Sequence, residues 1–513
     1  MKQLLLLFLA ILLITSCSDE TEQTPISTSD DKSFSTEEIN DFIYSKTQKN
    51  KVFDWSEAST AMIHSAAAAS DDIIALGYTV SGYDNIEDFI GIEETLPDAF
   101  LSVREGILQD ILEEERRVTG DESLELSQIL PFELDDQIPT LAVKITSLAS
   151  LERLRSDVNI RYVEPMGYDP SEVKERELKS SSGCNGNPSS INSSDYTNTS
   201  SYNAKIPWNF SNHNVQNAWN SSNGDNISIC IIDTGASDSQ DNLGSQFTSG
   251  NSGGRFIQKY STKYSGSWWW KSKDSPHDQC GHGTSMAGLA AGPWSTDGNA
   301  LGVAYRANLV TVRAVEDVII SSSNEKNGVK DALKLAGDRS DVKVVSMSIG
   351  NIISSGTVKD GIYYAYNRGK LLLAAAGTST SFTNWAGVIF PANMSQTTAV
   401  TGVKAQSSYQ RCNTCHSGSK VDFTIEMQRS FDSNRNSLAL SKNSNGTQYI
   451  SGSSAATATT AGIAALVWAT NPYMSRSTVI NRLKNASELG NNRSGSYGWG
   501  NINAQAAVQG STY

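Results

Sequence analysis

The sequence predicts an α/β fold: a mostly parallel sheet sandwiched by helices, preceded by a small α+β domain. Three observations predict it. From about residue 206, short apolar runs of strand length alternate with stretches of helical periodicity, the pattern of a parallel sheet covered on both faces. Before residue 168, a Glu-, Asp- and Leu-rich stretch carries helix and strand patterns of its own. Between the two, residues 169–205 are rich in Ser, Asn and Gly and read as a linker or processing region. The chain has 513 residues, more than one ordinary domain holds. Its composition, 38% hydrophobic and 19% charged, is globular, and a net charge of −14 argues against a broad nucleic-acid-binding surface.

The chain opens with MKQLLLLFLAILLITSC. One Lys precedes an apolar run from Leu4 to Ile14, too short to span a bilayer, which takes about 20 residues. Residues 1–17 therefore read as a secretory signal. The run ends in Ile14-Thr15-Ser16-Cys17, which resembles a bacterial lipobox. That resemblance implies an extracytoplasmic cell-envelope protein whose mature first residue, Cys17, carries lipid. Residues 18–36 are polar and acidic and read as a tether. Within 37–168, residues 98–117 have apolar positions at helical spacing, 140–145 alternate as a strand, 147–158 read as a helix capped by Ser147, and 160–165 read as another strand. Strand, helix and strand in so short a stretch form a compact α+β unit.

In the last part, 206–513, buried-strand runs lie at 227–233, 309–315, 342–349, 371–377 and 398–403. Helical patterns between them include HGTSMAGLAAG, KNGVKDALKLAGD, VKDGIYYAYNRG, SAATATTAGIAALVWATN and RSTVINRLKNAS. In such sheets sites form at the carboxyl ends of strands. Asp233 ends the first run in ICIIDTG, where a carboxylate is costly unless hydrogen-bonded. His282 stands between two glycines at the start of a small-residue helix. In SGSSAATATTAG, Gly452 and two serines open another helix, where the dipole favours developing negative charge.

Asp in IDTG, His in GHGTSMAG and Ser in GSSAA, in that order, resemble the subtilisin-like serine proteases. The likeness covers about 206–510. The family's G-T-S-M-A motif, laid on Gly452-Ser453-Ser454-Ala455-Ala456, selects Ser454 as nucleophile and Ser453 as support of the turn. The resemblance implies acyl transfer on protein or peptide substrates, with Ser454 attacking, His282 moving the proton and Asp233 orienting the imidazole. It implies an oxyanion hole from the Ser454 backbone N–H and the residue at 378, and pairing of extended substrate with Ser348, Ile349 and Gly350. It also makes 37–168 similar to an inhibitory propeptide, a small α+β, ferredoxin-like domain cut off during self-processing. No cofactor is required; structural calcium is common in the family, but no diagnostic loop occurs here.

The departures carry expectations of their own. Thr378 stands where the family has an Asn oxyanion donor, which opens an alternative: a slow or degenerate member acting by binding or only by self-cleavage. Ile389, two before Pro391, stands where broad-specificity members often have Gly, and is expected to shorten the specificity pocket. The G-x-S-x-G elbow of α/β-hydrolases is absent around Ser454. Five cysteines follow Cys17, so at least one is left outside internal pairs. The CNTC run at 412–415, followed by His416, reads as a local disulfide or loop staple, since zinc would want four ligands. Cys280, two before His282, is expected to confer sensitivity to thiol reagents. The tryptophans 268–270 read either as a surface apolar cluster or as a rim for substrate.

Overall fold

The structure, a computed structural model, describes residues 33–83, 85–170, 184, 186–266, 271–377, 387–406 and 408–513. Cys17, Thr378 and the tryptophans 268–270 lie outside them. Among the described residues no helix is long and apolar enough to cross a membrane.

The N-terminal unit begins with helix α1 (Thr36–Asn50), whose first turn is closed by a capping box between Ser35 and Glu38. After α2 (Thr60–Ala68) come β1 (Ile73–Tyr78), α3 (Asp98–Thr119), β2 (Thr140–Lys144), α4 (Leu148–Ser156) and β3 (Ile160–Pro165). Helix α3 buries Phe100, Ile107, Leu108, Ile111 and Leu112, the stripe its spacing predicts, and stops at Gly120, in the left-handed conformation. Ser147 caps α4 by accepting from Ser150 N–H at 3.2 Å. The three strands form an antiparallel sheet in the order β2-β1-β3. The central strand, β1, is wholly buried, so IIALGY lacks the alternation that exposes a strand in sequence. The expected ferredoxin-like sheet would have four strands. Here residues 121–139, where the further strand would fall, run as a loop with one 3₁₀ turn at Leu126–Gln128.

The second unit is built on seven strands. In chain order its main elements are β4 (Ser228–Asp233), β5 (Ile257–Ser261), α5 (His282–Ala291), β6 (Asn308–Arg313), α6 (Ser323–Asp338), β7 (Val342–Met347), α7 (Gly356–Asn367), β8 (Leu371–Ala375), β9 (Thr397–Ala405), β10 (Val421–Arg429), α8 (Gly452–Ala469) and α9 (Arg476–Asn485). The sheet order is β10-β9-β8-β7-β4-β6-β5, and every pairing is parallel. Alternate residues of β4 divide between two cores. Ile229 and Ile231 pack with α5 and α8, while Cys230 and Ile232 pack with α6 and α7. The chain runs from β4 to β5 and β6 on one side, then crosses to β7 on the other. The carboxyl end of β4 is thus a switch point, where open α/β sheets place their sites.

The two units share a buried polar interface. Arg161 of β3 makes a bidentate pair with Asp360 of α7, at 2.9 and 2.7 Å. Glu164 accepts from Gly356 N–H (2.8 Å) and Ser355 Oγ (3.0 Å) at the start of α7. Asp135 lies between Lys330 and Lys334 of α6. Ile352, Ile353 and Tyr364 complete the N-terminal unit's own core. Part of the expected linker is also built in. Tyr196–Asn198 pairs with Lys205–Pro207, and Asp195, fully buried, is clasped by Arg429, Arg435 and Tyr449. Cys184 is bonded to Cys280, so the expected reactive thiol beside His282 is a disulfide instead. Cys412 and Cys415 form the local disulfide expected of CNTC, and Cys230 is free and buried.

Candidate active site

Asp233 is the last residue of β4, with its side chain fully buried. Its Oδ1 accepts from Thr234 N–H at 2.8 Å and lies 2.7 Å from Nδ1 of His282; its Oδ2 has no partner among the described residues. The carbonyl oxygen of Asp233 accepts from Ala314 N–H at 3.0 Å, which locks the strand end in place. A carboxylate facing Nδ1 makes that nitrogen the proton-bearing one and leaves Nε2 as the base. Burial presses the His282 pKa down, but the charge and hydrogen bond of Asp233, with Asp278 and Asp317 behind it, raise it above 6.5.

His282 is the first residue of α5. Gly281 before it has φ +98°, a left-handed turn that side chains avoid, and a Cβ there would lie 2.9 Å from Cα of Gly186. The turn is organised by Asp278, a fully buried carboxylate that sequence reasoning missed. Asp278 Oδ1 accepts from Thr234 Oγ1, Cys280 N–H and Gly281 N–H at 2.7–3.0 Å. Its Oδ2 accepts from Thr284 N–H and Oγ1 at 2.8 and 2.6 Å. One side chain therefore ties the residue after Asp233 to the residues flanking His282, and satisfies donors at the start of α5. Its signal in the sequence is an Asp four residues ahead of the His, in DQCGHGT.

The two serines at the start of α8 have different surroundings. Ser453 Oγ accepts from Gly377 N–H at 3.2 Å and donates to Gly377 O at 2.5 Å, so its hydroxyl is used in both directions. The backbone oxygen of Ser454 accepts from Ser348 Oγ at 3.1 Å, which fixes the first turn of α8 against the end of β7. Ser454 Oγ makes no hydrogen bond among the described residues, His282 included; in unliganded sites such bonds are often long and tighten when substrate arrives. Helices α5 and α8 lie on the same face of the sheet and approach closely: a Cβ on Gly462 would be 2.8 Å from Ala290 O. Thr457, Thr459 and Thr460, in the stretch where the family has Pro and His, each donate to the carbonyl four residues back. The departure in sequence is absorbed by packing.

Ile389 reaches Gly350, whose added Cβ would lie 3.0 Å from the Ile389 Cδ1. Of the residues expected to pair with substrate, Gly350 is already bonded through its main chain. Gly350 N–H donates to Val318 O at 3.0 Å and Gly350 O accepts from Ile320 N–H at 3.2 Å. Substrate can accept from the Gly350 N–H only if residues 318–320 withdraw, because that single donor is already used, whereas the carbonyl keeps a second lone pair. Thr378 follows Gly377 directly but lies outside the described residues.

A model of the subtilase family matches residues 224–500, a stretch that holds Asp233, His282 and Ser454. Subtilisin DY of Bacillus licheniformis is 30% identical over 294 residues, covering 56% of this chain and 92% of the relative. M-protease of Shouchella clausii is 32% identical over 241 residues, 46% of this chain; the match spans 57% of that relative's length. The solved structure of MycP1 from the ESX-1 type VII secretion system covers 63% of this chain and 89% of its own, at 18% identity and a TM-score of 0.47.

Proposed function

The chain belongs to the subtilase family, and we propose that it is a serine-type endopeptidase made as a self-processing zymogen whose precursor is held at the cell envelope by lipid on Cys17. Ser454 Oγ attacks the carbonyl carbon of a peptide bond while its proton passes to His282 Nε2. The developing negative oxygen is met by Ser454 N–H at the positive end of α8, with Thr378 as the second donor. His282 then gives the proton to the leaving amine, the acyl-enzyme forms, and water repeats the sequence to free the acid. Asp233 keeps the proton on Nδ1 and stabilises the imidazolium. The observation that carries this reading is the buried 2.7 Å Asp233–His282 pair, at the head of a helix packed on the one bearing Ser454.

The zymogen part rests on the interface. Arg161, Glu164 and Asp135 commit buried charge to α6 and α7, and Asp169, at the end of the N-terminal unit, accepts from Asn351, next to the substrate-pairing residues Ser348–Gly350. A cut within 171–183 separates the units while leaving Cys184 joined to Cys280. The test is digestion of casein by the purified chain, with and without a serine-directed inhibitor. Digestion abolished by the inhibitor and by Ser454→Ala supports the reading; digestion that survives both contradicts it.

Thr378 favours a second reading, a slow enzyme restricted to self-processing and few substrates. Its signature is maturation of the chain without measurable casein digestion.

A further inference from the structure

We propose that His416 is a positioning residue for the reaction centre: anchored by the Cys412–Cys415 bridge, it ties Gly377 and Gly387 to the start of the nucleophile helix. The inference rests on the reading of Ser454 as nucleophile. His416 is fully buried. Its main-chain N–H donates to Gly377 O at 3.1 Å, and its ring Nδ1 lies 2.9 Å from Gly387 O. A carbonyl offers no proton, so Nδ1 carries one and donates. Burial pushes the ring pKa down to about 4, which keeps the imidazole neutral and this tautomer fixed near neutral pH.

Gly377 is the junction. At φ +126° it passes flush against the imidazole, and an added Cβ would stand 2.4 Å from His416 Nδ1. Its carbonyl accepts from both His416 N–H and Ser453 Oγ. One peptide group thus joins the histidine to the residue preceding Ser454. Gly387 is held by the same ring.

The disulfide gives His416 a fixed base. Cys412 N–H donates to Gly402 O on β9 at 3.1 Å, Cys415 N–H donates to Cys412 O at 3.0 Å, and Thr401 Oγ1 donates to His416 O. A Cβ on Gly402 would meet Cys415 Sγ at 2.7 Å, so the bridge lies flat on the strand. Ser451 Oγ, just before α8, reaches Cys412 Sγ at 3.6 Å. The CNTCH run is therefore a brace between β9, the start of α8, Gly377 and Gly387.

The experiment compares His416→Ala, His416→Asn and wild type. Asn places an amide nitrogen where Nδ1 stands and Ala places nothing. Steady-state kinetics on a soluble peptide are paired with hydrogen exchange at Gly377 N–H, which Ser453 Oγ protects. His416→Ala is expected to lose about 10²-fold in kcat at unchanged KM and to exchange faster at Gly377, with His416→Asn restoring most of both. Wild-type kcat in His416→Ala, equal loss in both variants, or unchanged exchange overturns the proposal. If wild type itself fails to cleave the peptide, the functional reading falls, and the exchange arm still decides whether His416 holds Gly377.

Discussion

Gly377 is bonded through both of its main-chain polar groups to the hydroxyl of Ser453, its N–H donating at 3.2 Å and its C=O accepting at 2.5 Å. Two adjacent serines are thereby separated into a cross-link and a hydroxyl, that of Ser454, with no hydrogen bond among the described residues. Ser453→Ala breaks a buried link, with a cost of about 1–3 kcal/mol for the donor and acceptor left behind. It is expected to lower the melting temperature and slow turnover while leaving activity measurable. Equal loss in Ser453→Ala and Ser454→Ala contradicts the assignment.

The pH profile follows from His282. Its imidazole must be neutral to accept the Ser454 proton, and its neighbours raise its pKa above 6.5. Activity therefore falls with decreasing pH through a midpoint above 6.5. Asp233→Asn removes the charge and replaces one carboxylate oxygen with an NH2 donor, so the side chain no longer enforces the Nδ1–H tautomer. It is expected to cut kcat by about 10⁴, as in the trypsin-type triad, and to move the midpoint down. An unmoved midpoint in that variant refutes the pairing as the cause.

As the proposed second oxyanion donor, Thr378 is expected to set the speed of the enzyme. Loss of the Asn donor costs roughly 10²–10³ in turnover in subtilisin itself, a member of the same family. Thr378→Asn is expected to raise kcat at unchanged KM, and Thr378→Val to lower it. A Thr378→Val enzyme as fast as wild type shows that the hole is built from other groups.

Acid destabilises the fold through buried histidine. His213 is buried, with Nδ1 2.7 Å from Ile502 O and Nε2 accepting from Glu426 N–H, and burial presses its pKa from 6.5 to about 4. The unfolded chain takes up the proton near pH 6.5 and the folded chain only near 4, so stability falls as pH drops through that window, by about 3 kcal/mol. Denaturant titrations at both ends measure it. His213→Gln should flatten the slope; an unchanged slope in that variant assigns the loss elsewhere.

Thiol chemistry separates the cysteines. With Cys184–Cys280 and Cys412–Cys415 bonded and Cys230 buried, its pKa pushed up to about 12, the native enzyme resists alkylation. In a chain beginning after Cys17, mass spectrometry should find one alkylated cysteine after denaturation alone and five after denaturation with reductant. Modification of Cys280 in the native protein contradicts its pairing.

Much of the sheet was legible because strands buried on both faces read as apolar runs, and β4, β6, β7, β8 and β9 fall on those runs. The strand β10 carries the opposite signal, alternation in VDFTIEM, and β5, with its Gln and Lys, matches neither pattern well. Strand β1 was hidden because it is wholly buried yet short and follows an alanine-rich helix. Asp233, His282 and Ser454 could be read from motif and order. The contacts of Asp278, His416 and the 318–320 segment could not, because each depends on main-chain groups brought together from distant parts of the chain. Cys280 was misread for the same reason: its partner is 96 residues away.

The most direct test of the central claim is to locate the adduct formed by a serine-directed organophosphorus or sulfonyl fluoride reagent. After reaction with the mature chain, peptide mass spectrometry should place one adduct on Ser454 and none on Ser453, and His282→Ala should abolish it. Casein digestion without an adduct at Ser454, or an adduct that persists in His282→Ala at the wild-type rate, would contradict the account.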